Sequence, residues 1–98
     1  MAQYFNITGV LTQELLAAGD NVSVSNIQLV NTHTTDSVTI DMFIEKKLTG
    51  TFYLLKRVEL PIGTTLVYDS AKFSNRVGEF GLYIKLNAAD SVVDVIVN

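Results

Sequence analysis

The sequence predicts an all-β fold, a single-domain antiparallel β-sandwich of the jelly-roll-like kind with about eight strands. Residues 38–44 alternate apolar and polar side chains almost without error, with only Phe43 out of step, and residues 80–86 repeat that period of two. Such a period marks a strand with one face on a core and the other toward water. Turn residues separate short strands about every 8–12 residues, which is typical of sandwiches and barrels.

Length and composition limit the architecture to one small domain. A chain of 98 residues has room for a single hydrophobic core, so we expect one domain spanning residues 1–98. Hydrophobic residues make up 48% of the chain and charged residues only 17%. Because charge normally keeps exposed strands apart in solution, this scarcity predicts that part of the outer surface is covered by a partner.

Charge and composition also exclude several classes of function. The formal net charge of −3 argues against nucleic acid as the principal partner, and the absence of cysteine removes disulfides and thiolate metal sites. The N-terminal residues lack the basic and apolar regions of a signal peptide, and no apolar run is long enough to span a membrane. We therefore expect no membrane partner and synthesis in a host cytoplasm.

The first part of the chain predicts two strands, residues 4–7 and 10–16, joined by a turn at residues 8–9. Residues 12–18 have an alternative as a short helix capped by Thr12 and ended by Gly19. We favour the strand, because a helix of about two turns is not stable without tertiary support.

The next apolar residues change phase along the chain. Val22 and Val24 are apolar at even positions, whereas Ile27 and Leu29 are apolar at odd positions. One ideal strand would turn one of these pairs to solvent. The slip at residues 25–26 therefore predicts a β-bulge.

The rest of the chain continues the pattern of short strands and turns. A polar loop covers residues 31–37, and Pro61 ends a strand because proline cannot donate a hydrogen bond to a sheet. The secondary structure of residues 73–77 is ambiguous from the sequence. Turns are predicted at residues 48–51 and 87–91, and further strands at residues 52–60, 64–68, 78–86 and 92–97.

The sequence contains no recognisable catalytic or metal-binding constellation. His33 is the only histidine and lies near Asp36, but no nucleophile elbow is present, so we expect a solvated loop histidine and no enzymatic activity. The aspartates are dispersed and lack the spacing of a calcium loop. We expect no cofactor and no metal ligand within the chain, and a metal at a subunit junction stays open.

Basic and aromatic residues are the candidates for an interface. The pairs Lys46-Lys47 and Lys56-Arg57 flank one predicted hairpin. They fit either a basic spot that meets an acidic partner surface or the protection of a sheet edge by lysine, and the sequence does not decide between the two.

Four passages resemble the small β-sandwich virion proteins of tailed bacteriophages. They are A-A-G-D-N-V-S-V-S-N-I-Q-L-V-N-T at residues 17–32, S-V-T-I-D-M-F-I at residues 37–44, Y-L-L-K-R-V-E-L-P-I-G-T-T-L-V at residues 53–67, and the closing residues 87–97. The resemblance thus covers residues 17–97. It implies a structural part of a phage particle, either a head decoration (cement) protein or a component of the neck or tail.

The resemblance also implies partners and a location. We expect the major capsid protein or other virion proteins as partners, a homo-oligomer with a trimer favoured, and residence in the virion. The expected contact regions are an N-terminal arm at residues 1–8, the loop at residues 32–37 and the strand before Pro61. Candidate interface residues are Tyr4, Phe5, His33, Asp36, Lys46, Lys47, Tyr53, Lys56 and Arg57, with Phe73 as a further aromatic candidate.

Two alternatives to head decoration come from different classes of function. A neck or tail module with the same fold would form a ring or a spike, and the sequence does not separate it from a decoration protein. A carbohydrate-binding domain of a tail fibre ranks lower, because tryptophan is absent and the tyrosines are scattered along the sequence.

Overall fold

The computed structural model describes residues 3–17, 23–46, 50–69, 73–74 and 80–98, and all regular structure within these ranges is β. No helix in these ranges is long and apolar enough to cross a membrane. The strands are β1 Gln3–Thr8, β2 Gln13–Leu16, β3 Ser23–Val24, β4 Ile27–Asn31, β5 Val38–Lys46, β6 Gly50–Leu60, β7 Thr65–Tyr68, β8 Phe73–Ser74, β9 Phe80–Leu86 and β10 Val92–Val97.

Eight of the strands form two four-stranded antiparallel sheets. Sheet 1 has the order β1-β10-β4-β7, sheet 2 has the order β2-β9-β5-β6, and β3 pairs with β8 apart from both. The buried side chains of the two sheets form one hydrophobic cluster. The predicted antiparallel β-sandwich is therefore confirmed.

The strand order is that of a jelly roll. The antiparallel pairs β5·β6, β4·β7, β2·β9 and β1·β10 are nested around the central hairpin, so the chain runs out and back as one long double ribbon. The ribbon is rolled so that β10 also pairs with β4 and β9 also pairs with β5. These additional pairings join the ribbon into the two sheets of a jelly roll.

The core lies between the sheets and is built from aliphatic side chains. In β5 the inward residues include Ile40 and Met42, as the alternation of residues 38–44 predicts, and the polar residues between them face outward. Sheet 1 contributes an equivalent row from its central strands. The fully buried side chains are Leu16, Ile27, Leu29, Val38, Ile40, Met42, Leu82, Ile84, Leu86, Val93, Val95 and Val97.

The region of the alternative helix is a strand. Residues Gln13–Leu16 pair with β9, and the register shifts between Glu14 and Leu16. This irregularity lets the consecutive residues Leu15 and Leu16 both be buried, which a regular strand does not allow. The alternative helix is wrong, because hydrogen bonds with the central strand β9 satisfy the backbone N–H and C=O groups of these residues.

The predicted bulge at residues 25–26 is a break between two strands. Val24 belongs to the β3-β8 pair, and Ile27 begins β4 in sheet 1. The amides of Ser25 and Asn26 donate to the carbonyl of Asn98 instead of to a neighbouring strand. Changing partners at this point allows Val24 and Ile27 both to be buried despite the phase slip.

The expected N-terminal arm is, from Gln3 onward, an integral part of sheet 1. Strand β1 pairs with β10 along its whole length, from Gln3 opposite Val97 to Thr8 opposite Val92. Residues 1–2 lie outside the described part of the chain. A free arm at residues 3–8 is wrong, because β10 already satisfies one edge of this strand.

Asn31, at the end of β4, is the polar residue that ties the loop at residues 32–37 to sheet 2. Its side chain is completely buried. The Nδ2 group donates to the carbonyl oxygens of Asp36 and Leu60, each at 3.0 Å, and Oδ1 accepts from the amide of His33 at 2.9 Å. Every polar atom of this buried amide therefore has a partner.

We predict that Asn31→Leu lowers the free energy of unfolding by about 2–4 kcal/mol, because it leaves an amide and two carbonyl groups without partners. Chemical denaturation measures the change. The control is Gln28→Leu on the same strand, where the side chain points away from the core. An Asn31→Leu variant as stable as this control would show that the buried network is dispensable.

Candidate functional site

The outer face of sheet 1 carries almost no charge. Its single charged residue in the described part of the chain is Asp94, whose Oδ1 accepts a hydrogen bond from Asn6 Nδ2 at 2.6 Å. Tyr4 is 74% exposed and Val67 is 56% exposed. From the strand registers, this sheet-1 outer face consists of Tyr4, Asn6, Thr8, Gln28, Val30, Thr65, Val67, Val92, Asp94 and Ile96.

Of the two N-terminal interface candidates, only Tyr4 is on this face. Tyr4 lies opposite Ile96, whereas Phe5 is half-buried and packs against the core. Successive residues of a strand point to opposite faces, so neighbours in sequence are separated here. Phe5 therefore turns toward the core, and its role as an interface residue stays a prediction.

The outer face of sheet 2 carries a row of three aromatic rings. Phe43 of β5 lies between Tyr53 of β6 and Tyr83 of β9, with ring centroids 5.3 Å and 5.5 Å apart. These tyrosines are distant in sequence, and the pairing of three strands brings them together. Two of the four tyrosines that are scattered along the sequence thus share one surface in the structure, and Phe43 interrupts the alternation of β5 because it lies between them.

Tyr83, at one end of this row, is partly buried and lies near carboxylates. Burial raises the pKa of the Tyr83 phenol, and the negative charges of Glu14 and Glu45 and a hydrogen bond to Glu14 raise it further. The ring also covers Gly81, where an added Cβ would approach ring atoms to 3.0 Å. The aromatic row therefore ends beside carboxylates that accept hydrogen bonds.

Arg57 occupies an unusual backbone position on the edge strand β6. Ile40 pairs with Val58 but Met42 pairs with Leu55, so β6 has an extra residue at this point. Arg57 has a φ of 53°, the left-handed conformation that costs a residue with a Cβ about 1–2 kcal/mol. Its amide donates to Asp41 Oδ1 at 2.7 Å. Bulges of this kind re-aim a side chain.

The other basic candidates are only partly described. The Lys56 ammonium lies 4.2 Å from the centroid of the Tyr53 ring, within range of a cation–π interaction. Lys47 and the side chains of Lys46 and Phe73 lie outside the described residues. The basic spot formed by the pairs Lys46-Lys47 and Lys56-Arg57 therefore stays a prediction.

His33 is enclosed by its own loop. The side chain is 15% exposed. Its Nδ1 atom accepts from the amides of Thr35 and Asp36 at 3.1 Å and 3.0 Å, and its Nε2 atom lies 3.3 Å from Asp90 Oδ2. His33 is thus half-buried and less solvated than expected, because the loop turns its own amides toward the ring.

This loop also contains a group of potential metal ligands. One ligand atom from each of His33, Asp36 and Asp90 lies within 4.8 Å of the others. A histidine that binds a metal through Nε2 carries its proton on Nδ1 and donates it to an acceptor. Here Nδ1 accepts two amide hydrogens, which places the ring proton on Nε2, facing Asp90. These hydrogen bonds hold the loop in its conformation, and they do not leave His33 in the protonation pattern of a metal ligand.

Neither the family models nor the curated proteins contain a match to this chain. Among solved structures, a chain from "Structure of infectious bursal disease virus Gx strain" is similar with 14% sequence identity and a TM-score of 0.33. The similarity covers 99% of this chain and 33% of the viral chain, so this chain spans about a third of that protein's length. A TM-score this low carries no argument about fold or function.

We predict that Arg57→Gly raises the free energy of unfolding by about 1 kcal/mol, because glycine adopts a positive φ without steric cost. Thermal and chemical denaturation measure the change. The control is Lys56→Gly on the same strand, which lies outside the left-handed region and should lose about 0.5–1 kcal/mol. A loss of stability in Arg57→Gly would mean that the guanidinium itself stabilises the fold.

Proposed function

We propose that this protein is a non-enzymatic structural subunit of a tailed phage particle, in which it decorates and stabilises the head. Two observations support the proposal. Residues 17–97 resemble small virion proteins of tailed phages, and the chain forms a jelly roll, an architecture that viral capsid domains share with lectins and cupins.

The proposal rests mainly on the scarcity of charge on the sheet-1 outer face. Water-facing strands usually intersperse charges of both signs, whereas the buried centre of an interface is depleted of charge and enriched in aromatic side chains. Tyr4 and Val67 lie at opposite edges of this face, and Asp94 is the one charge between them. Such a face is suited to being covered by another virion subunit.

The edges of sheet 1 offer a second means of attachment. Strands β1 and β7 end the sheet, so each has one side of its backbone without a partner strand within the described residues. A neighbouring subunit can add a strand to such an edge. Decoration then works by multivalency, because many weak contacts on a regular lattice add up to firm attachment.

We predict that Tyr4→Lys and Val67→Lys each remove the protein from virus particles, because each adds an ammonium group that must be desolvated when the face is covered. Recombinant phages that encode the variants are purified, and the copy number per particle is measured by quantitative mass spectrometry. The control is Thr51→Lys, which adds the same charge on the outer side of sheet 2 and should leave the copy number unchanged.

The outcomes separate the parts of the proposal. Absence of the wild-type protein from particles would rule out a virion role altogether. Normal incorporation of Tyr4→Lys and Val67→Lys would rule out sheet 1 as the attachment face. A copy number comparable to that of the major capsid protein supports head decoration, whereas a few copies per particle support a neck or tail module.

Native mass spectrometry of the purified protein addresses the expected homo-oligomer. A trimer or larger ring means that subunits recognise one another before they meet the particle. A monomer favours a cement protein whose copies come together only on the capsid lattice.

The aromatic row on sheet 2 favours a second candidate function, the binding of a glycan. Sugar rings present C–H groups that pack on aromatic side chains and hydroxyl groups that donate to carboxylates. Tyr53 is 48% exposed at the open end of the row, and the carboxylates of Glu14 and Glu45 act on Tyr83 at the other end. This combination was not apparent from the sequence.

We predict that, if this second function applies, a glycan array shows hits for the wild-type protein that Tyr53→Ala abolishes, because Tyr53 is the exposed ring of the row. Tyr4→Ala on the opposite sheet is the matched control and should retain all hits. An array without hits would remove glycan binding from consideration.

A further inference from the structure

An open groove of about 630 Å³ lies on the outer face of sheet 2, next to the aromatic row. We call it the Arg57 groove. Its volume is within the range of typical ligand-binding clefts. The residues that matter for its chemistry are Leu11, Thr39, Asp41, Arg57, Lys85 and Asn87.

The groove holds two cations that have no ion-pair partner among the described residues. Arg57 and Lys85 both line it, and neither forms a salt bridge with any residue that the structure describes. Asp41 lies opposite Lys85 in the sheet register, but its Oδ1 already accepts the backbone amide of Arg57. In a chain with a net charge of −3, this groove therefore carries a local positive excess.

One wall of the groove is apolar and exposed. Leu11 is 77% exposed and Val10 is 38% exposed, in the segment that leads into β2. Strand β2 pairs with β9, which places this wall beside β9, whereas Arg57 is on the far edge strand β6. With about 4.8 Å between neighbouring strands, the two walls stand roughly 14 Å apart.

The backbone at Arg57 gives an independent reason to assign a ligand to this groove. A left-handed residue in a bulge is ordinarily glycine, and an arginine there is less stable than glycine would be. Strained backbone positions occur preferentially at binding sites. The bulge directs a planar guanidinium, which binds a carboxylate through two parallel hydrogen bonds, into an open cleft.

We propose that the Arg57 groove binds an acidic segment of a partner protein, with an aspartate or glutamate carboxylate between Arg57 and Lys85 and an adjacent aliphatic side chain on Leu11. The aliphatic wall favours a peptide over a sugar acid, because the rings on which a sugar would stack lie in the next row of the sheet, at Phe43 and Tyr83. This inference does not depend on the proposed function, since the groove is on sheet 2 and the covered face is on sheet 1.

The test is a titration of the ¹⁵N-labelled protein, followed by ¹H–¹⁵N correlation spectra, with the capped peptide Ac-Leu-Asp-Leu-NH2. We expect saturable shifts at the amides of Arg57, Lys85 and Asn87. The neutral peptide Ac-Leu-Asn-Leu-NH2 should produce none of them. Arg57→Gln and Lys85→Gln should each weaken binding by about tenfold, the loss expected for one charge-assisted hydrogen bond.

Lys56→Gln is the matched control, because it removes the same charge from the neighbouring position, which does not line the groove, and it should bind like the wild type. The spectra report at the same time that each variant is folded. Absence of saturable shifts, equal binding of the neutral peptide, or unchanged affinity in Arg57→Gln would overturn the proposal. Tighter binding of sodium glucuronate or inorganic phosphate than of the acidic peptide would overturn it as well.

Discussion

The register of β5 against its two neighbours is the constraint on which the outer surface of sheet 2 depends. Pairing Met42 with Leu55 and Ile84 turns Met42 into the core and leaves Phe43 outside, between Tyr53 and Tyr83. A slip of one residue would exchange these faces and bury Asp41. Burial of a line of aliphatic residues therefore determines both the aromatic row and the position of Asp41 beside Arg57 and Lys85.

The parts of the fold that sequence predicts are those that local patterns encode. The alternation of residues 38–44 identified β5 and its inward residues, and Val92–Val97 was predicted with its observed bounds. The slip at residues 25–26 predicts a bulge, because the sequence does not show that the amides of Ser25 and Asn26 donate to the carbonyl of Asn98. Whether such a slip is a bulge or a change of sheet depends on which strand each residue pairs with, and these partner strands are distant in the chain.

The same limit applies to the candidate sites. His33 was expected in solvent because its sequence neighbours are polar, yet Asp90, which approaches its Nε2, is 57 residues away. The aromatic row forms only when three strands pair. Its one signal in the sequence is Phe43, which interrupts the apolar–polar alternation of residues 38–44. The sequence marks Arg57 only by its charge, because a left-handed backbone has no sequence signature in a residue that is not glycine.

The two outer faces of the sandwich suit different kinds of contact. Among the described residues, the sheet-1 outer face has a single charge, the Asp94 carboxylate, so covering this face would desolvate only one ion and suits a broad interface. The Arg57 groove has two cations without ion pairs among the described residues, and the proposed contact of these cations with an acidic segment would weaken with added salt. A subunit held through sheet 1 would keep sheet 2 toward the outside, where a reversible, charge-dependent contact can form without loosening the first.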